Sequence, residues 1–280
     1  MDADQSILLS TVTTTDAIAL LVNENAMDDL RIFLETLQLW NTILPTLYIA
    51  CSKPLQLKYK GIIHTKVCLE TYTNLTRQQM ENLPSKESLT NLFHDFTVEK
   101  CSLIEWAIKE HGSGVLFCDA DICWLGPLPS IDPTKLTLSP HEIRPQDEAR
   151  FGLFNAGFLY IPSLESVRQW RKACLTSTFF EQKALDIFQI SCNRFGSHVN
   201  YGWWRMFQAS KPSQQLQAEW SIHRHESHSG LCVKGIPVVC IHTHWKTNDY
   251  ITNMFNTWIL SRLELLKKQK KVREILTILK

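Results

Sequence analysis

Through the first 125 residues, short apolar runs rich in β-branched side chains alternate with stretches whose apolar residues recur at helical spacing. The runs are "SILLSTVT" (6–13), "PTLYIAC" (45–51), "GIIHTKVCL" (61–69) and "GVLFCD" (114–119), each bounded by turn residues, with "FNAGFLYI" and "PVVCIHTH" further on. Between them, "AMDDLRIFLETLQLW" sets Leu30, Phe33, Leu34, Leu37 and Trp40 on one helical face behind an acidic first turn. "TVEKCSLIEWAIKEHGSG" does the same with Cys101, Ile104 and Ile108 and stops at Gly112. Strand alternating with helix is the pattern of an α/β domain on a mostly parallel sheet, whose ligands bind at the carboxyl ends of the strands.

Beyond residue 125 the pattern changes. Pro162 and Ser163 open a helix within "FLYIPSLESVRQWRKAC", a second helical stretch follows near "FEQKALDIFQI", and an aromatic, His-rich, irregular region comes next. A final helix is expected around 249–279, carrying Lys267, Lys268, Lys270, Lys271 and Arg273. No internal repeat or low-complexity linker divides the chain, so the expectation is one domain over 1–247 with the C-terminal helix (248–280) packed on it.

Composition supports a packed enzyme-sized core. At 280 residues and 44% hydrophobic, the chain has enough apolar surface for one large domain. A net charge of +1 supplies no overall field to draw in nucleic acid, so no nucleic-acid partner is expected and anion binding must be local. The N-terminus carries two acids where a secretory signal has bases, and no window holds the roughly 18 uninterrupted apolar residues of a membrane span. Nine cysteines, an odd number without a CxxC pair, read as reduced thiols packed as small hydrophobes. These features together read as a soluble, cytoplasmic protein in which the Asn74-Leu75-Thr76 sequon is unused.

The chemistry concentrates in "GVLFCDADICWLGPLP" (114–129). Residues two apart on an extended segment point the same way, so Asp119 and Asp121 present both carboxylates on one side at a strand end. Two like charges that close need a cation, and the economical one is Mg²⁺ or Mn²⁺, itself bound to a diphosphate. A surface turn would not require "VLF" before the acids and "ICWLGPLP" after them.

A strand of the form apolar-apolar-apolar-x-Asp-x-Asp, followed by an apolar-Trp-Leu segment and Pro, resembles the metal-binding signature of GT-A fold glycosyltransferases. The likeness is to the nucleotide-diphospho-sugar transferase family, which includes plant xylosyl- and arabinosyltransferases, and more distantly to the glycogenin and bacterial galactosyltransferase family. Three further segments match in order. "FNAGFLYIPS" resembles the family's Asn-(Ser/Thr/Ala)-Gly-apolar strand at Asn155 and Gly157, and "FEQKALDIF" its Asp-Gln-x-x-(Leu/Phe)-Asn segment, with Glu181 where Asp is usual and Gln182 matching directly. "VVCIHTHWKTND" resembles the late strand ending in His-Asn-Asn-Trp, matching at His242 and Trp245 and departing at Thr243 and His244. Spacing leaves the choice between His242 and His244 as metal ligand open, with His242 in the matching position.

The resemblance implies a GT-A type α/β domain with a Rossmann-like, mostly parallel central sheet flanked by helices and a C-terminal helical extension. Residues 1–125 form its nucleotide-binding half and 126–247 its acceptor-binding half. It implies Asp119, Asp121 and His242 on Mn²⁺ or Mg²⁺, with a UDP-sugar as donor and a glycan or glycoconjugate as acceptor. Lys100, Asp119, Asn155, Gly157 and Lys246 would face the donor, and Thr11, Thr13 and Thr14 its ribose and uracil. Gln182 would act at the reacting carbon, with Glu181 or Asp186 as base should the enzyme invert. The resembled families mostly retain configuration, the departing diphosphate taking the acceptor's proton.

Aromatics at Tyr201, Trp203, Trp204, Trp220 and Trp245 suit stacking on a sugar face or core packing alike. His223, His225 and His228 lack the spacing of a second metal site and read as a loop bordering the acceptor. The basic C-terminal helix reads as the solvated face of a docked helix, with peripheral contact to an anionic membrane as the alternative. Two other functions remain open at this level. One is a sugar-nucleotide or carbohydrate-binding protein without turnover. The other is an aspartate-nucleophile phosphatase, which lacks support because Cys123 stands where a hydroxyl is required and no acidic pair follows.

Overall fold

The strand Ala17–Val22 lies inside a seven-stranded sheet and is buried along its whole length. Its side chains alternate between two cores: Ala17, Ala19 and Leu21 face one, and Ile18, Leu20 and Val22 the other. Burial on both faces is what makes "AIALLV" continuously apolar rather than alternating. The computed structural model describes residues 13–202, 205, 220–223, 227–246 and 249–278. Thr11, Trp203, Trp204 and His225, and the side chains of Lys271 and Arg273, lie outside the described residues, as does all of the 6–13 run except Thr13.

Across the sheet the strands are ordered Asn193–Arg194, Thr137–Pro140, Phe154–Ile161, Val115–Cys118, Ala17–Val22, Thr46–Cys51 and Ile63–Val67. All run parallel except Phe154–Ile161, which is antiparallel to both neighbours. That one reversal matters for the site. It brings the beginning of its strand, Asn155 to Gly157, to the edge where the other strands end, and the Asp119 N–H donates to the Gly157 carbonyl there at 2.8 Å.

Helices cover both faces. Met27–Trp40 buries Leu30, Phe33, Leu34 and Leu37 on one side of the sheet. Leu92–His111 and Leu164–Cys174 bury Cys101, Ile104, Ile108, Val167 and Trp170 on the other. Burial of each large apolar side chain contributes roughly 1.5–3 kcal/mol. Asn91 caps the long helix by accepting the His94 N–H at 3.0 Å, and Gly112 ends it at φ 83, a left-handed conformation that glycine adopts without strain. Ser163 caps its helix in the same way by accepting from Ser166.

A smaller sheet of Tyr201–Gly202, Cys240–His242 and Ile122–Trp124 lies beside the first. The helix Tyr250–Ile278 docks Phe255, Ile259 and Leu263 onto its core. Lys267 pairs with Glu35 at 2.7 Å, and the Lys270 amine donates to the Leu39 carbonyl at 2.8 Å, so two cations of the basic stripe fasten the helix to Met27–Trp40. Among the described residues, no helix is long and apolar enough to cross a membrane. All nine cysteines are free, and seven of them are buried.

The architecture is thus α/β, with a mostly parallel central sheet flanked by helices and a C-terminal helix, as expected from the sequence. The first strand of the central sheet among the described residues is Ala17–Val22, six buried residues that follow Asp16. The helical stretch at "FEQKALDIF" is present over its whole length, an α-turn at Phe180–Lys183 passing into a 3-10 helix at Ala184–Phe188.

Candidate functional site

At the carboxyl edge of the sheet lies a cavity of about 570 Å³. Asp119 and Asp121 reach it from the turn between the strands Val115–Cys118 and Ile122–Trp124. His242 comes from more than a hundred residues away, placed by the antiparallel register that sets it opposite Ile122. Its Nε2 lies 3.1 Å from Asp121 Oδ1 and 3.8 Å from Asp119 Oδ2. His244 lines the same cavity, with Nδ1 3.4 Å from Asp121 Oδ2.

Gly157 explains how these groups fit. A Cβ built there would collide with the His242 ring and the Asp119 carboxylate. The residue is small to leave that space, and its backbone needs no unusual φ. Two carboxylates and two imidazoles meeting over a glycine form an oxygen and nitrogen donor set suited to a divalent metal.

Lys100 enters from the Leu92–His111 helix, almost fully buried, with its amine 3.1 Å from Asp119 Oδ1, 2.8 Å from Glu181 Oε1 and 3.1 Å from the Ala156 carbonyl. Burial by itself would depress its pKa, but the charges of Asp119 and Glu181 outweigh it and hold the amine above its ordinary value. Burial raises Asp119, and Lys100 and His242 offset only part of the rise. For Asp121 the balance reverses: burial is outweighed by the neighbouring His242, and the carboxyl sits well below its ordinary range. His242 is raised because the pull of Asp121 exceeds the effect of its own burial.

Next to these, a polar network stiffens the strand start. The Gln182 amide donates to the Phe151 carbonyl at 2.9 Å, and its Oε1 accepts from Asn155 Nδ2 and the Ala156 N–H at 3.4 Å each. Asn155 Oδ1 accepts from the Gly157 N–H at 3.0 Å and from Asn200 Nδ2 at 3.2 Å. Asn155, Gly157, Glu181 and Gln182 all line the cavity.

Other expected site residues lie elsewhere. Thr13 and Thr14 precede the Ala17–Val22 strand, so they lie at the amino edge of the sheet, exposed and paired with Ile131 and Ser130. They are at the opposite end from the cavity, since Ala17–Val22 begins after them and ends at it. Asp186 faces away, accepting the Leu153 N–H at 2.8 Å and pairing with Lys183 at 2.7 Å. Lys246 is exposed and is not part of the cavity wall. Tyr201 is buried in the core beneath the C-terminal helix, with Trp220 and Trp245 packed against it. Among the described residues, the phenylalanine rings Phe93, Phe96, Phe151, Phe179 and Phe180 line the cavity, joined by ring contacts of 4.9–6.3 Å. His223 and His228 are bonded locally, to the Ser221 hydroxyl and the Gly230 N–H. Among the described residues, Asp121, His242 and His244 are the cluster with metal-ligand spacing.

Asp29 and Asn23 line the cavity without having been anticipated. Asp29 read as an ordinary acid in a helix first turn, yet burial, joined by the charge of Asp121, pushes its carboxyl up to about 6. The acidic pair after "NENAM" was the available signal, but only packing tells its buried member from its exposed one.

No protein-family model and no curated protein sequence matches the chain. Among solved structures, it is similar to the crystal structure of an active-site mutant of LgtC, at 13% identity and a TM-score of 0.46, over 88% of this chain and 95% of that one. At that identity and score the likeness carries no information about activity.

Proposed function

We propose that this chain is a metal-dependent glycosyltransferase that moves a sugar, such as xylose, galactose or glucose, from a UDP-sugar to a glycan acceptor with retention of configuration. The observation that carries the reading is the convergence of Asp119, Asp121, Asn155, Gly157, Glu181, Gln182 and His242, from four separate segments, on one cavity at the carboxyl edge of the sheet. These are the positions through which the sequence resembles GT-A transferases. The volume, about 570 Å³, suits a nucleotide-sized ligand.

When bound, Mn²⁺ or Mg²⁺ supplies Lewis-acid neutralisation of the donor's diphosphate. Asp119, Asp121 and His242 are the residues that would hold it. Lys100 pairs with Asp119 at 3.1 Å and adds fixed positive charge beside the site of leaving-group departure. Gln182 and Asn155 brace the strand that carries Gly157, and the phenylalanine wall gives a sugar an apolar surface and excludes water.

Neither carboxylate considered as a base for inversion is available for that role. Glu181 is engaged by Lys100 at 2.8 Å, and Asp186 by the Leu153 N–H and Lys183. This favours the same-face route, in which the departing diphosphate accepts the acceptor hydroxyl's proton. The test is release of nucleoside diphosphate from a panel of UDP-sugars with Mn²⁺, stopped by chelator and abolished in Asp121→Ala. Failure of UDP-, GDP- and nucleoside-monophosphate sugars to give either hydrolysis or metal-dependent binding overturns the reading.

A further inference from the structure

His244 departs from the pattern that the rest of the late strand follows, and its backbone is built for a purpose. It sits at φ 47, a left-handed conformation that costs a β-carbon-bearing residue energy and persists only where surroundings impose it. The surroundings do impose it. The Thr243 hydroxyl donates to the Asp121 carbonyl at 2.6 Å, the Thr243 N–H donates to the same oxygen at 3.2 Å, and Asn256 Nδ2 donates to the Thr243 carbonyl at 3.0 Å. The His-Thr-His turn is thereby fastened to the aspartate turn at its backbone. The result is that the rings of His242 and His244 stack, with centroids 4.6 Å apart, and each turns a nitrogen to a different oxygen of Asp121. The three donor atoms lie within 4.8 Å of one another, close to the roughly 4 Å spread of ligands around one ion. Asp119, meanwhile, is engaged by Lys100.

We infer that His244 is itself a metal ligand, so that Asp121, His242 and His244 bring one carboxylate and two imidazoles to the same cation, beside Asp119. This deepens the metal-assisted reading above and rests on it for the metal's role in turnover. Two imidazoles shift preference from hard cations toward Zn²⁺ and Co²⁺, with Mg²⁺ held weakly.

The experiment titrates the full chain with Zn²⁺, Mn²⁺ and Mg²⁺ in the absence of nucleotide, and counts coordinated imidazoles by pulsed EPR of the Mn²⁺-loaded protein. The variant is His244→Gly, which accepts the positive φ at a half-exposed position. The parent is expected to show two imidazoles and His244→Gly one, with Zn²⁺ binding weakened about tenfold or more. One imidazole in both parent and His244→Gly, unchanged Zn²⁺ affinity in His244→Gly, or no metal bound by the parent overturns the inference. UDP-sugar turnover is measured separately. Turnover with a single coordinated imidazole sinks this inference and leaves the transferase reading standing, whereas two imidazoles without turnover on any donor do the reverse.

Discussion

Lys100 Nζ and Glu181 Oε1 lie 2.8 Å apart with both side chains almost fully buried, and Asp119 shares the same amine at 3.1 Å. One cation therefore balances two carboxylates in a place from which water is largely excluded. Removing the cation leaves Glu181 without its partner and Asp119 with only the more distant His242, which is far more costly than losing a surface pair. Lys100→Met is expected to destabilise the fold by roughly 3 kcal/mol in urea unfolding. Adding Glu181→Gln to that variant is expected to recover part of the loss. A double variant no more stable than the single one would show that the pair is not coupled.

Gly157→Ala places a methyl group where the His242 ring and the Asp119 carboxylate stand. Both neighbours belong to the cavity wall, so relief of the collision has to displace a site group. The expected cost is about 1–3 kcal/mol of stability, together with a clear loss of Mn²⁺ affinity by calorimetry. Parent-like metal binding in this variant would contradict the tight approach.

Asp29 sets a pH dependence whose sign follows from its raised carboxyl. The unfolded chain releases this proton near 3.8 and the folded protein near 6, so between those values the folded state binds more protons. Its contribution to stability is full below about 4 and is lost as pH rises through 6. In the presence of chelator, Asp29→Asn is expected to match the parent at pH 4 and to exceed it at pH 7 by roughly 1–3 kcal/mol. A constant difference between the two across that range would exclude the buried, raised carboxyl.

Asp186→Ala separates a structural acid from a chemical one. It removes an acceptor from the Leu153 N–H and a partner from Lys183. A loss of about 1–2 kcal/mol in stability is expected, with the pH profile of sugar-nucleotide turnover unchanged. A profile that loses its acidic limb would make Asp186 the proton acceptor and turn the stereochemical expectation to inversion.

Ile259 has no exposed surface beneath the C-terminal helix, whereas Lys267 pairs with Glu35 in water. Ile259→Ala is expected to cost about 2–4 kcal/mol and Lys267→Ala less than about 1 kcal/mol. Thermal melts of the two variants check whether the helix is held by its apolar face.

Sequence by itself determined the elements whose side chains repeat with a regular period. "FNAGFLYI" is the strand Phe154–Ile161 to the residue, and the helix at 27–40 buries four of the five apolar residues its spacing singled out and half-buries Trp40, because a strand or helix that must cover a core announces its period locally. The α/β alternation followed for the same reason. It did not single out "AIALLV", because its β-prone character resembles that of the threonine-rich "SILLSTVT" before it and its burial on two faces is known only from packing. Tertiary structure decided what lies next to what. The meeting of His242 and His244 with Asp121, the burial of Lys100 between two acids, the raised carboxyl of Asp29 and the phenylalanines in the cavity wall all arise between segments far apart in the chain. Side-chain chemistry at such meetings depends on distance, orientation and exclusion of water, which packing of the whole chain sets and no local period records.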